Sequence, residues 1–435
     1  AAGSPCGIAI GGREISGSTP QLPQNLLLCI RKKTMIAKKD IEEILDINES
    51  YKLTGRLMEI LQDQEKREDI FDEFLKREQD LSFDWFTDYF QDEQGDRKGL
   101  KQDYTPDCLC EIVMKLCDGE GDVISDICAG TGGLTIKAWN KNKKCFFYCE
   151  ELSQRAVAIL LFNLAIRNIT GQVVHGDVLT GKTEAIYSLK TSIKYSEIER
   201  KQTAENVKAD ISISNPPYSL KWDSVDDLKN DSRFREYGLP PKSKADYGFL
   251  LHGISTLKPG GTLIEILPHG VLFRGAKEAE IRRKLVEENL LKTVIGLPNN
   301  LFLNTGIPVA ILVFQKDRKE SDTLFIDCSK DFEKNGKQNL MNAEHIDRLI
   351  KACKERREIP KYSHIATRQE IEENDFNLNI PRYVDTYERA PAPDLLETIT
   401  ELHAIDREIQ KTELRLMGMM EQMTGTTTES DKKHQ

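Results

Sequence analysis

The sequence predicts an α/β protein: a mainly parallel, doubly wound sheet, preceded by a helical segment and followed by one terminal helix. Three observations predict it. Short apolar runs alternate with helix-periodic stretches from about residue 99 to residue 316. A glycine-rich turn joins a strand to a helix in "DVISDICAGTGGL" (122–134). The stretch ahead of residue 99 carries helical spacing, without the alternation that strands show.

Residues 1–34 have no periodicity and stop just before Met35, so they read as an unordered leader or expression-derived segment outside the fold. Residues 35–98 follow as a helical N-terminal domain. There "YKLTGRLMEILQDQEKREDIFDEFLKREQDL" sets apolar residues at helical spacing beneath an acidic outer face. Residues 99–330 form the α/β domain. "DVISDI" reads as a strand, "GGLTIKAWNK" opens a helix, "CFFYCE" is a strand and "SQRAVAILLFNLAIRN" a helix. "QVVHGD", "ADISISN", "GTLIEILP", "KTVIGL" and "VAILVFQK" supply further β segments, with "ADYGFLLHGISTL" as a helix among them. Residues 391–435 open on "PAPD", continue as a helix and end in a polar, unordered tail after Thr424. Leu395, Leu402, Ile409, Leu416 and Met423 fall seven apart in that helix, which suits packing on a partner, although Asp406 and Glu413 take the other expected apolar positions.

With 435 residues, 39% hydrophobic and 30% charged, the chain can bury a large core and is not disordered throughout. Its net charge of −10 argues against gripping a nucleic acid unaided, because phosphate contacts call for a basic surface. The ten cysteines show no CxxC spacing and histidines number seven, so a zinc site is not expected and the thiols read as buried groups in a reducing cytoplasm. "NLLLCI" is too short to span a bilayer, so no membrane association is expected.

The chemistry gathers at strand ends. Gly130, Gly132 and Gly133 allow close backbone approach, but their spacing is not the dinucleotide G-x-G-x-x-G. Glu151, preferred over Glu150, ends the next strand, where an acid can accept from a ribose hydroxyl pair. Asp177 ends the third; it can accept from an adenine amino group or cap the turn that follows. A competing match, "GDVLTGKT" (176–183), satisfies the phosphate-loop pattern, though Asp177 inside it opposes a polyphosphate.

The fourth strand runs into "NPPY". Two prolines stiffen the turn and remove two donors, leaving the Asn215 amide oxygen and the Pro216 carbonyl as rigid acceptors, with Pro217 and Tyr218 after them. Two convergent acceptors suit one NH2 group, and Tyr218 offers a face on which a base stacks, worth about 1–3 kcal/mol. An amine conjugated to a purine is a poor nucleophile. Accepting both its hydrogens localises the lone pair and stabilises the positive charge that grows as nitrogen attacks a methyl group. Neither a metal nor a covalent intermediate is needed.

At these residues the chain resembles the adenine-specific DNA methyltransferases, and within them the modification subunits of type I restriction-modification systems. The family's S-adenosyl-L-methionine loop, D-P-A-C-G-T-G-G-F, stands here as "DICAGTGGL", matching at Asp126, Gly130, Thr131, Gly132 and Gly133. Ile127 replaces the proline and Cys128-Ala129 reverses the small pair. "DYTP" supplies Tyr104, Thr105 and Pro106 of the segment that packs on the cofactor, and "NPPY" is the catalytic motif unchanged. Residues 231–275, 295–316 and 375–386 resemble type I subunits in particular, and the likeness covers about 35–425. It implies a Rossmann-like seven-stranded methyltransferase sheet over 99–330, a family-specific extension over 331–390, and an N-terminal domain that closes over DNA. It also implies a C-terminal helix that meets a specificity subunit, a second modification subunit, and in some systems a restriction subunit. Two alternatives stay open. "NPPY" also serves enzymes acting on RNA bases or protein glutamine, and a retired enzyme kept as an assembly scaffold is the non-enzymatic reading.

Overall fold

A computed structural model describes residues 36–90, 104–117, 121–205, 207–223, 226–303, 305–386 and 394–424. The expected leader and the polar tail after Thr424 lie outside these residues. Helices α1 (Lys38–Leu45), α2 (Leu53–Gln62) and α3 (Gln64–Arg77) come first. The Asp63 side chain caps α3 by accepting from the Lys66 amide. Leu53, Leu57, Ile60 and Leu61 line one face of α2, and Phe71 and Phe74 project from α3; all are buried.

The α/β region comprises α4 (Asp107–Leu116), β1 (Val123–Asp126), α5 (Gly133–Lys141), β2 (Phe146–Glu151), α6 (Gln154–Ile166), β3 (Gly171–Asp177), β4 (Lys182–Lys190), β5 (Glu197–Lys201) and β6 (Ala209–Ser214). It continues with α7 (Asp246–Thr256), β7 (Leu257–Pro268), α8 (Lys277–Glu287), β8 (Leu291–Gly296), β9 (Val309–Gln315) and β10 (Thr323–Asp327). A small hairpin, β11 (Glu333–Asn335) and β12 (Gln338–Leu340), is followed by α9 (Ala343–Glu355), β13 (Ser363–Ala366) and α10 (Arg368–Glu373). α6 is buried from Ala156 to Ile166. Its Phe162 meets Phe71 and Phe74 edge-on at 4.9 and 4.8 Å, so the N-terminal helices share one apolar core with the sheet layer.

Among the described residues the main sheet has eleven strands, in the order β13-β10-β8-β9-β7-β6-β1-β2-β3-β4-β5. Seven expected strands form its centre, β3-β2-β1-β6-β7-β9-β8, and four more extend the two edges. β4 and β5 escape a periodicity reading because charged residues interrupt both, and β5, the strand at the edge, carries no buried residue. β2, β1, β6 and β7 run parallel, whereas β9 inserts antiparallel between β7 and β8. The chain winds outward from β1 through β2 to β3, then returns to β6 on the other side of β1. The carboxyl ends of β1 and β6 therefore flank a switch point, where doubly wound sheets hold ligands. α11 (Leu395–Thr424) is a single helix in a unit of its own. No helix among the described residues is long and apolar enough to cross a membrane.

Candidate active site

At the switch point β1 ends in Asp126 and the chain turns through Ile127–Gly132 into α5. Gly130 and Gly132 have φ of 56° and 97°, a region that L side chains resist. A Cβ on Gly132 would stand 2.9 Å from Leu160, so this turn closes onto α6 only with glycine there. Asp126 is buried and donated to by the Thr135 hydroxyl at 2.8 Å; burial outweighs that bond and pushes its carboxyl up to about 7.

The neighbouring strand braces the turn. Glu151 accepts from the Gly130 amide at 2.9 Å and from the Ser153 amide at 2.7 Å. Burial raises its pKa against these bonds. Glu150 faces elsewhere and meets His252 Nε2 at 2.7 Å. Asp177, at the end of β3, accepts from the Leu179 amide and the Thr180 hydroxyl, which caps the turn it begins.

The Asn-Pro-Pro-Tyr turn leaves β6 at Ser214. Asn215 Nδ2 donates to the Thr105 hydroxyl at 2.8 Å, and the Tyr218 hydroxyl donates to Asn215 Oδ1 at 2.6 Å. The amide is thus pinned from both ends, with its oxygen on the tyrosine side. Ser219, next in line, has φ of 50°. Its amide donates to the fully buried Asp246 at 2.7 Å, and Asp246 pairs with Arg274 at 2.7 Å. The Phe302 ring stands almost perpendicular to Tyr218, 88° at 5.8 Å.

These pieces line one cavity of about 560 Å³. Tyr104, Thr105, Asp126, Gly130, Thr131, Gly133, Glu151, Asp177 and Asn215 to Tyr218 all lie in its wall. Pro106 and Gly132 do not. Pro106 starts α4, its carbonyl accepting from the Leu109 and Cys110 amides. Sequence reasoning missed Phe302 and Thr305, which sit in "LPNNLFLNTGIP" (297–308) without periodicity to mark them, and Phe90, which the N-terminal segment contributes.

The phosphate-loop match does not form a phosphate loop. Gly181 is followed by strand β4, not a helix, and Lys182 pairs with Asp177 across an antiparallel hairpin. A helix N-terminus is what such a loop needs to hold an anion.

Residues 80–391 match the family model described as N-6 DNA methylase. The chain is 28% identical over 376 residues to the type I restriction enzyme MpnII methylase subunit of Mycoplasma pneumoniae, covering 82% of this chain and 66% of that one. It is 26% identical over 428 residues to the MjaVII methylase subunit of Methanocaldococcus jannaschii, covering 90% and 70%. The chain spans 59–70% of the length of the first curated relatives it matches. Among solved structures it is similar to the type I restriction-modification system methyltransferase subunit from Streptococcus thermophilus, with 30% identity and a TM-score of 0.63 over 83% of this chain and 84% of that one. With a family model matched over most of its length and a solved relative of the same architecture, the chain belongs to the N-6 DNA methylase family, among its type I restriction-modification methyltransferase subunits.

Proposed function

We propose that this chain transfers a methyl group from S-adenosyl-L-methionine to the 6-amino group of adenine in DNA. It does so in the cytoplasm, as the modification subunit of a type I restriction-modification complex whose specificity subunit selects the site. The observation that carries this reading is the shared cavity: the Asn215–Tyr218 turn and the glycine-rich turn line the same space.

The lining suits a cationic donor. It includes Asp126, Glu151 and Asp177, with no lysine or arginine among the described lining residues. Open space lies where a Cβ on Gly130 would stand, so a ligand can approach that backbone closely. Tyr104, Thr105, Asp126, Gly130, Thr131 and Gly133 would form the cradle, Glu151 would accept from a ribose hydroxyl pair, and Asp177 would meet the adenine end. Pro106 and Gly132 would support it from behind. When bound, S-adenosyl-L-methionine supplies a methyl group activated by a sulfonium centre.

The chain's own residues prepare the acceptor. The Asn215 oxygen has two lone pairs, one facing the Tyr218 hydroxyl and the other left for an incoming N–H. Together with the Pro216 carbonyl it takes both hydrogens of the target amine. Because Thr105 holds the amide nitrogen, the oxygen need not reorient as charge develops. Tyr218 and Phe302 form a corner in which a planar base stacks on one ring against the other's edge. A base can reach this corner only after leaving its duplex. The net charge of −10 and the exposed Leu402, Ile405 and Ile409 of α11 support a partner that brings DNA contacts and covers that helix. That partner is the specificity subunit, in a complex with a second modification subunit and, in some systems, a restriction subunit.

The test is methyl transfer from labelled S-adenosyl-L-methionine to duplex DNA, with and without the specificity subunit. Label in N6-methyladenine at defined sites is expected with the subunit, and weak, site-independent gel shifts without it. Label found instead in RNA or on protein glutamine, or no transfer with the subunit present, would overturn the reading.

A further inference from the structure

Behind the glycine-rich turn sits a carboxylate that the proposed chemistry does not use. Asp84 belongs to the segment joining α3 to the rest of the chain, and it is 3% exposed. Its Oδ2 accepts from the Thr131 hydroxyl at 2.6 Å and the Tyr104 hydroxyl at 2.8 Å. Its Oδ1 accepts from Asn163 Nδ2 at 2.8 Å and the Phe86 amide at 2.9 Å. Two of these four donors, Thr131 and Tyr104, line the cavity. Asn163 also donates to the Thr131 carbonyl at 2.8 Å, so the turn is held through both backbone and side chain. Arg167 closes the arrangement: it donates to Asn163 Oδ1 at 3.1 Å and to the Leu81 carbonyl at 2.8 Å.

We propose that Asp84 is a positioning residue for the S-adenosyl-L-methionine turn, making the helical N-terminal segment a working part of the cofactor site. This rests on the function proposed above. Four converging donors need a carboxylate. An amide in its place turns one acceptor into a donor, which faces at least one of the present donors and leaves it unpaired in a buried place. The groups that lose their anchor are Thr131 and Tyr104, both in the wall. The same segment carries Phe90 into the cavity, so cofactor binding and the order of residues 84–90 are coupled.

Calorimetric titration of S-adenosyl-L-methionine into the full chain tests this. Asp84→Asn is expected to weaken binding about 10-fold or more while the far-ultraviolet circular dichroism is kept. Thr131→Val weakens binding in the wild-type background and adds less than about twofold on top of Asp84→Asn, because both act through one bond. Wild-type binding retained by a folded Asp84→Asn chain, or fully additive losses, would overturn the inference. A wild-type chain that does not bind at all would instead overturn the function proposed above. Hydrogen exchange on the wild-type chain needs no variant: added cofactor should slow the Phe86 and Thr87 amides, and unchanged exchange there counts against the coupling.

Discussion

Asn215 shows how much of the site depends on one orientation. Its amide reads the same from either end in composition, yet only the oxygen can accept a target N–H, and Thr105 and Tyr218 decide which end faces which way. Asn215→Ala is expected to lower methyl transfer about 10²–10³-fold, the usual loss for a preorganised polar group, with cofactor affinity by calorimetry kept within about twofold. A second residue lacks the hydrogen-bond partners that buried polar groups usually have. Glu265 on β7 is fully buried, no carboxylate oxygen of it has a partner among the described residues, and burial beside Asp246 pushes its pKa well above 4.5. Held neutral, it binds a proton in the folded state that the unfolded chain releases above pH 4.5, so stability falls as pH rises past that value. Glu265→Leu is expected to stabilise the protein by about 1–3 kcal/mol, more at pH 8 than at pH 5, in denaturant melts at both pH values. An effect larger at pH 5 would contradict this. "GTLIEILP" marks Glu265 as the odd residue in an apolar strand, but nothing in the sequence says that no cation meets it.

At the scale of elements, the strands at the centre of the sheet were legible because each is a short apolar run bounded by turn residues. The glycine-rich turn and the prolines after β6 were legible for the same reason: both are punctuation with a mechanism. What escaped was whatever depends on pairing. β4 reads as charged and unstructured until β3 lies beside it, and the apparent phosphate loop ahead of it is the bend of that hairpin. The grip behind the Asn-Pro-Pro-Tyr turn is likewise tertiary, since Asp246 is 27 residues beyond Ser219 in sequence and Arg274 is 28 residues further on. Ser219 keeps an uncommon backbone conformation beside Tyr218 while the first residue of α7 holds its amide. Asp246→Ala is expected to lower the single-turnover rate about 10–100-fold, since small misplacements of reacting groups are costly. Cofactor affinity, read from the other wall of the cavity, should stay within about twofold.

At the scale of the whole molecule, the described residues from Ile36 to Asp385 form one compact unit and α11 lies in another. The N-terminal helices, which the sequence sets apart as a domain, share their core with α6 through Phe71, Phe74 and Phe162. A chain ending at Asp385 is therefore expected to keep its cofactor affinity and melting temperature while losing co-purification with the specificity subunit. Retained co-purification would move that contact off α11, where Leu402, Ile405 and Ile409 are about half exposed at 55, 55 and 49%. By itself the sequence determined the sheet class, the glycine-rich turn, the stiff Asn-Pro-Pro-Tyr turn after β6, and the long terminal helix, because each follows from local spacing, missing donors or restricted backbone angles. Only the tertiary structure decided that Asp84 meets Thr131, that Phe302 faces Tyr218, and that Glu265 has no partner among the described residues. The first two are contacts between residues 47 and 84 positions apart, and chain-local rules carry no information about which distant groups a packed core brings together or keeps away.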